Sequence, residues 1–341
     1  MSEETIAVVA VSAANGAKGG AERLYEGLIG ALERAGAKTE LIEVTSDESS
    51  FEAIQETYLR FYDLDLSHYY GVISTKAPSY LVRHPNHVCY LLHTMRSFYD
   101  MFETEFPAPG EALDKQRDMI FALDTAALSP PHTKQVYVIG KEVQKRLAHY
   151  NGLDSEVLHL TTTLQGFYCG EFRYAFLPGR LHRWKRVDLV IEAMRDVKSP
   201  LPLLISGVGE DEAYFRELAR MDKRIVFLGR VSDAQLIQLY ANALVVPFVP
   251  VREDLGLVTL EAFLSRKPVL TCVDSGEPAH FVTDRSNGFV CPPEPGEIAA
   301  RLDSLYQNVD TAKRMGECGY AAVEHIKWET VASTLLQSLG K

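Results

Sequence analysis

Four groups of residues have the types and spacing to do chemistry. The first is basic. In Phe176-Leu-Pro-Gly-Arg-Leu-His-Arg-Trp-Lys-Arg-Val187, Arg180 follows an apolar β-rich run and Lys185 precedes a helical pattern. Both cations then project from the carboxyl edge of a parallel sheet, where open α/β folds take their ligands. A guanidinium and an ammonium at that edge would hold two phosphates and neutralise the charge that grows on a departing diphosphate. Arg183 and Arg186 share the stretch, so a solvated basic turn is the alternative reading.

The second group is Glu253-Asp-Leu-Gly-Leu-Val-Thr-Leu-Glu261, two carboxylates eight positions apart around a helix start. A helix beginning near Asp254–Gly256, before Leu257, turns free amides and a positive dipole end toward the same edge. The two acids are then at most roughly 12 Å apart along the helix rise. That is about the span from the sugar to the ribose of a nucleotide-sugar, one carboxylate accepting hydroxyls at each end. Read blandly, the same residues make a capped amphipathic helix with exposed acids.

Third is the glycine loop Asn15-Gly-Ala-Lys-Gly-Gly-Ala-Glu-Arg23 after the first strand, where Gly19 and Gly20 let backbone approach a phosphate or a sugar. It is neither a dinucleotide fingerprint nor a Walker loop, and a plain tight turn explains it equally. The fourth is His93, at the end of the apolar run Val88–Leu92, placed for proton transfer or sugar contact, or simply satisfied by backbone. Asp63-Leu-Asp65 has the look of an acidic metal motif, but it lies in a helix-to-strand turn without a suitably placed third acid.

The elements that must position these residues alternate. Apolar β-rich runs separated by helical patterns are the signature of βα units and a parallel sheet. Strands are expected at Ile6–Val11, Glu40–Val44, Gly71–Ser74, Val88–Leu92, Val136–Ile139 and Glu156–Leu160, with a helix over Ala21–Ala35. The architecture then restarts, with strands at Tyr174–Pro178, Leu203–Ser206, Ile225–Leu228, Leu244–Pro247, Val269–Thr271 and Gly288–Cys291. A helix over Val187–Met194 places Val187, Val190, Ile191 and Met194 on one face. The expected domains are 1–165 and 166–325, with 326–341 a C-terminal helix packing back on the first. Residues 161–173 are the expected hinge.

Composition narrows the class. With 341 residues, 46% hydrophobic and 24% charged, the chain is ordinary globular material. Its net charge of −11 falls mostly in residues 1–165, against nucleic-acid binding or a polybasic anchor there. Five scattered cysteines, an odd number without a C-x-x-C pair, fit buried free thiols in a reducing compartment. The acidic opening lacks the basic start of a signal peptide, so the expected location is the cytoplasm, with membrane contact peripheral at most.

Taken in order, the residues resemble family 4 of the retaining glycosyltransferases, which have the GT-B fold. Gly-Arg180-x4-Lys185 followed by Val-Asp-Leu-Val-Ile-Glu-Ala, Glu253-x7-Glu261 followed by Ala and then Lys-Pro-Val, Gly19-Gly20-Ala21-Glu22-Arg23, and Phe227-Leu-Gly-Arg-Val-Ser-Asp233 all carry the likeness. It implies an α/β chain of two Rossmann-like, doubly wound domains facing a central cleft, with acceptor specificity in the first domain and the nucleotide-sugar in the second. It further implies that Arg180 and Lys185 bind the donor diphosphate, Glu253 the sugar and Glu261 the ribose. Backbone at Gly229, Arg230 and Val231 would take the base, Gly19 and Gly20 would approach the phosphate, and His93 would flank the donor sugar. Transfer in the family retains anomeric configuration and needs no metal or other cofactor.

The implied donor is GDP-mannose or a UDP-sugar, the acceptor a saccharide, lipid-linked or small-molecule hydroxyl. His93-Thr-Met-Arg-Ser-Phe-Tyr-Asp100 looks like a stretch common in mannosyl-type members, with Met95 in place of a proline. Asp254-Leu255 stands where the pattern has Gly-Phe. A nucleotide-sugar epimerase, a phosphorylase, or an inactive sugar-nucleotide binding subunit would use a similar scaffold, although no pyridoxal lysine site for a phosphorylase is evident.

Overall fold

The computed structural model describes residues 4–13 and 20–341. Among the described residues twelve strands form, the central ones where β-branched and apolar runs make both faces of a strand buriable, and every strand expected from the sequence is present within a residue or two at each end, apart from the shortened sixth. They are β1 (Thr5–Ala13), β2 (Lys38–Ser46), β3 (Gly71–Ser74), β4 (His87–Leu91), β5 (Gln135–Val138) and β6 (Glu156–Val157), then β7 (Tyr174–Pro178), β8 (Leu203–Ser206), β9 (Ile225–Gly229), β10 (Ala243–Pro247), β11 (Val269–Cys272) and β12 (Gly288–Cys291). All the pairings between them are parallel, in two six-stranded sheets of order β2-β1-β3-β4-β5-β6 and β12-β11-β10-β7-β8-β9.

Two compact units hold these sheets. One comprises the described residues up to Thr163 together with Ile326–Lys341, the other Leu164–His325. The C-terminal helix Trp328–Leu339 is sewn into the first: Asn86 Nδ2 donates to Leu339 O at 3.1 Å, and a Cβ on Gly27 would collide with the Trp328 ring. Central strands read as continuous apolar runs because helices cover both faces. In β1, Ile6 to Ala10 are wholly buried.

In the second unit the strand order is that of a doubly wound nucleotide-binding sheet, and it reverses direction between β7 and β10. Crossover helices diverge from such a point, leaving a crevice at the carboxyl ends of the two central strands. The helix Val187–Asp196 is fixed by its apolar face: Val187, Val190, Ile191 and Met194 are each at most 1% exposed. Burial of each such side chain is worth about 1.5–3 kcal/mol, so the turn preceding this helix hangs on a rigid anchor. Among the described residues no helix is long and apolar enough to cross a membrane.

Candidate functional site

At the reversal between β7 and β10 the two acid and base groups of the sequence partly converge. Pro178 ends β7, and Gly179 and Arg180 follow. The loop after β8 packs against this exit backbone to backbone: a Cβ on Gly207, whose φ is +120°, would lie 1.9 Å from Gly179 O. That close approach sets Arg180 beside Glu210. Arg180 Nε donates to Glu210 Oε2 at 3.1 Å, and Nη2 donates to the other carboxylate oxygen. Both side chains are more than half exposed. The guanidinium holds the Glu210 carboxyl below the usual carboxylate range. Glu210 carries no local motif of its own; the signal for it in the sequence is the Gly207-x-Gly209 pair that carries it past the end of β8.

Lys185 closes a 3-10 turn, Arg183–Lys185, whose start is capped by His182 accepting from Trp184 N at 3.2 Å. From there Nζ reaches Glu253, donating to Oε2 at 2.6 Å, and lies 5.7 Å from the centre of the Phe248 ring. The pair is half-sheltered, 27% and 20% exposed. Burial pushes the neighbouring His182 imidazole below its ordinary value, helped by Arg180, so it favours the neutral form.

Glu253 sits in the loop after β10, and its backbone is pinned from both sides. Its N–H donates to Ser275 O at 2.9 Å, and its carbonyl accepts from Glu277 N at 2.8 Å. The helix that follows, Leu257–Leu264, starts at Gly256 with φ +73°. A side chain there would be strained and would press on the Phe248 ring and Pro278, each 2.8 Å from the added carbon. Asp254 is half-buried, Leu255 is 4% exposed, and Leu257 opens the helix.

Glu261 is not the exposed acid that a capped surface helix would carry: it is 7% exposed and accepts from Tyr240 Oη at 2.8 Å. Burial first, and then the Glu261 charge, raise the Tyr240 hydroxyl well above its ordinary value, so it serves as a permanent donor. Tyr240 was missed from the sequence because nothing local links residues 240 and 261.

Gly229 ends β9 with φ +66°, and Arg230 and Val231 just beyond it line a cavity of about 440 Å³ with Arg173, Tyr174, Gln235 and Asn242. His93 belongs to the other unit, past β4, where its Nδ1 is 2.9 Å from Thr94 O. Gly20 opens the helix Gly20–Arg34, and Gly19 lies outside the described residues. Asp65 accepts from Ser67 N at 3.1 Å and Ser67 Oγ at 2.6 Å, the geometry of a solvated turn. Among the described residues no group of three or more potential metal ligands occurs.

A doubly wound sheet pair of this kind is the GT-B fold, and solved structures share it along the whole chain. Sucrose-phosphate synthase from Thermosynechococcus elongatus superposes with a TM-score of 0.78 at 18% identity, covering 98% of each chain. Residues 170–322 match the family model described as glycosyl transferases group 1. Over 247 residues the chain is 25% identical to the alpha-1,3/1,6-mannosyltransferase ALG2 of Mus musculus, 64% of this chain and 59% of that protein's length. It is 30% identical to the D-inositol 3-phosphate glycosyltransferase of Nocardia farcinica over 187 residues, 51% of this chain and 41% of that one.

Proposed function

We propose that this protein is a retaining glycosyltransferase of family 4, moving a hexose from a nucleotide-diphospho-sugar to an acceptor hydroxyl. The observation that carries the reading is Lys185 paired with Glu253 at the β7/β10 reversal, beside the amide end of the helix Leu257–Leu264. Cation, carboxylate and free amides at one crevice match the three parts of a nucleotide-sugar's reacting end. The similarity of residues 170–322 to a glycosyl transferase family supports it.

In this mechanism the donor diphosphate displaces the carboxylates from Arg180 and Lys185, and Glu253 turns to the sugar hydroxyls. The bond from the anomeric carbon to the phosphate oxygen breaks while the acceptor oxygen bonds that carbon on the same face. The acceptor's proton passes to the departing phosphate oxygen, giving glycoside and nucleoside diphosphate. Arg180, Lys185 and the helix amides stabilise the charge on the leaving group, the role a metal takes elsewhere. Glu261, fixed by Tyr240, receives the ribose, and backbone at Gly229–Val231 the base. The donor is GDP-mannose or a UDP-sugar, and the mannosyl activity named for the mouse relative favours the former. The acceptor is a saccharide, lipid-linked or small-molecule hydroxyl, and the enzyme works in the cytoplasm.

Incubation with a panel of nucleotide-sugars, scoring nucleotide release with and without acceptors, tests this. Acceptor-stimulated release with an α-linked product from an α-linked donor is expected. An altered sugar still on its nucleotide would mean epimerisation instead, and binding without turnover a non-catalytic subunit.

A further inference from the structure

Arg186 directly follows Lys185 in the basic turn. By sequence Arg186 is one more solvated cation, yet its side chain is only 16% exposed and its backbone is left-handed, φ 48°, where non-glycine residues are uncommon. Its guanidinium makes four hydrogen bonds. Nε donates to Val249 O at 2.6 Å and Nη2 to Pro250 O at 2.8 Å, while Nη1 and Nη2 take the two oxygens of Asp274 at 2.8 and 2.7 Å. Val249 and Pro250 follow β10, and Asp274 follows β11. One planar fork therefore joins the exits of three strands, a task for which the lysine point charge is unsuited.

Backbone bonds run alongside. Val251 N donates to Trp184 O at 2.8 Å and Arg252 N to Asp274 O at 2.9 Å. Lys185 immediately precedes Arg186, and Glu253 lies three residues beyond Pro250, so both take their places from this junction. We infer that Arg186 and Asp274 are positioning residues of the donor site: the clamp they form holds Lys185 against Glu253 in the geometry that receives the diphosphate. The inference rests on the donor reading above for its consequence, and on the clamp alone for its geometry.

The test uses the full chain with R186G, R186K and D274N. Glycine adopts the positive φ freely, so R186G removes the guanidinium while relieving the backbone. Hydrogen exchange of the wild type and variants is expected to show faster exchange at 184–186, 249–253 and 273–277 in R186G and D274N, with other segments and the circular dichroism unchanged. Calorimetric titration with GDP and UDP is expected to show binding weakened at least tenfold in R186G and D274N, less in R186K. The double variant should be no weaker than the worse single one. Unchanged exchange in those three segments, additive losses, or global unfolding of both R186G and D274N would overturn the clamp. A wild type that binds neither GDP nor UDP would sink the donor reading and leave the exchange result to decide the clamp.

Discussion

Replacing Lys185 by methionine keeps the aliphatic stem near Phe248 and removes only the charge. One energy follows from the observed ion pair and a second from the proposed donor contact. The ion pair with Glu253 is 27% and 20% exposed, between a surface pair and a buried one, so its loss costs about 1 kcal/mol of stability, nearer the surface value because water still reaches the stranded carboxylate. On the proposed function, Lys185 also makes a charge-assisted hydrogen bond to the leaving diphosphate that strengthens as charge develops, worth about 1.5–3 kcal/mol. Converted at 1.36 kcal/mol per decade, kcat/KM should fall about ten- to hundredfold. Nucleoside diphosphate release against donor concentration measures this, with thermal unfolding of the same preparation alongside. Wild-type kcat/KM in a stably folded variant would refute the assignment of Lys185 to the leaving group. A second comparison guards against a purely structural role: if Lys185 serves only to hold Glu253, Lys185→Met and Glu253→Gln cost the same and their combination costs no more.

If Arg180 receives the donor phosphate as proposed, Glu210 competes for it, and the Arg180–Glu210 pair is more than half exposed, worth at most about 1 kcal/mol. Glu210→Gln should therefore lower the donor KM up to about fivefold and leave kcat alone; a rise in KM in the same assay would show that Glu210 itself contacts the donor. A different handle lies in the first unit, where Asp124 is fully buried, accepts from Tyr58 Oη at 2.9 Å and Tyr99 Oη at 2.8 Å, and is pushed by burial up to about 6. Between pH 4 and 6 the folded carboxyl keeps its proton while the unfolded one loses it, so stability falls as pH rises through this window, by about 3 kcal/mol, and is level above it. Asp124→Asn should flatten that slope in denaturant unfolding between pH 4 and 6.5, and a slope unchanged by the substitution would show that another group carries it.

Local pattern made much of the fold legible. Strand runs such as Leu203–Ser206 and Gly288–Cys291 are bounded by turn residues and mostly apolar, and the helix Val187–Asp196 shows its buried face at helical spacing. These depend on neighbours within a few positions, which the chain writes directly. The expectation that Arg180 ends a strand while Lys185 and Glu253 precede helices is of the same kind.

Partners were decided by tertiary structure. β10 follows β9 in the chain but pairs with β7, because the crossover after β9 returns over the sheet to its middle. That single topological choice sets Glu253 against Lys185, 68 positions away, and Asp274 against Arg186, 88 positions away. It also leaves β9 at the sheet edge. Whether Glu261 is a surface acid or a buried one held by Tyr240 depends likewise on which face of its helix meets the sheet, and apolar periodicity is uninformative in a helix as uniformly apolar as Leu257–Leu264. Residue types and strand exits were determined by the sequence alone; which acid answers which base was decided by the order of strands, since long-range pairing leaves no local trace.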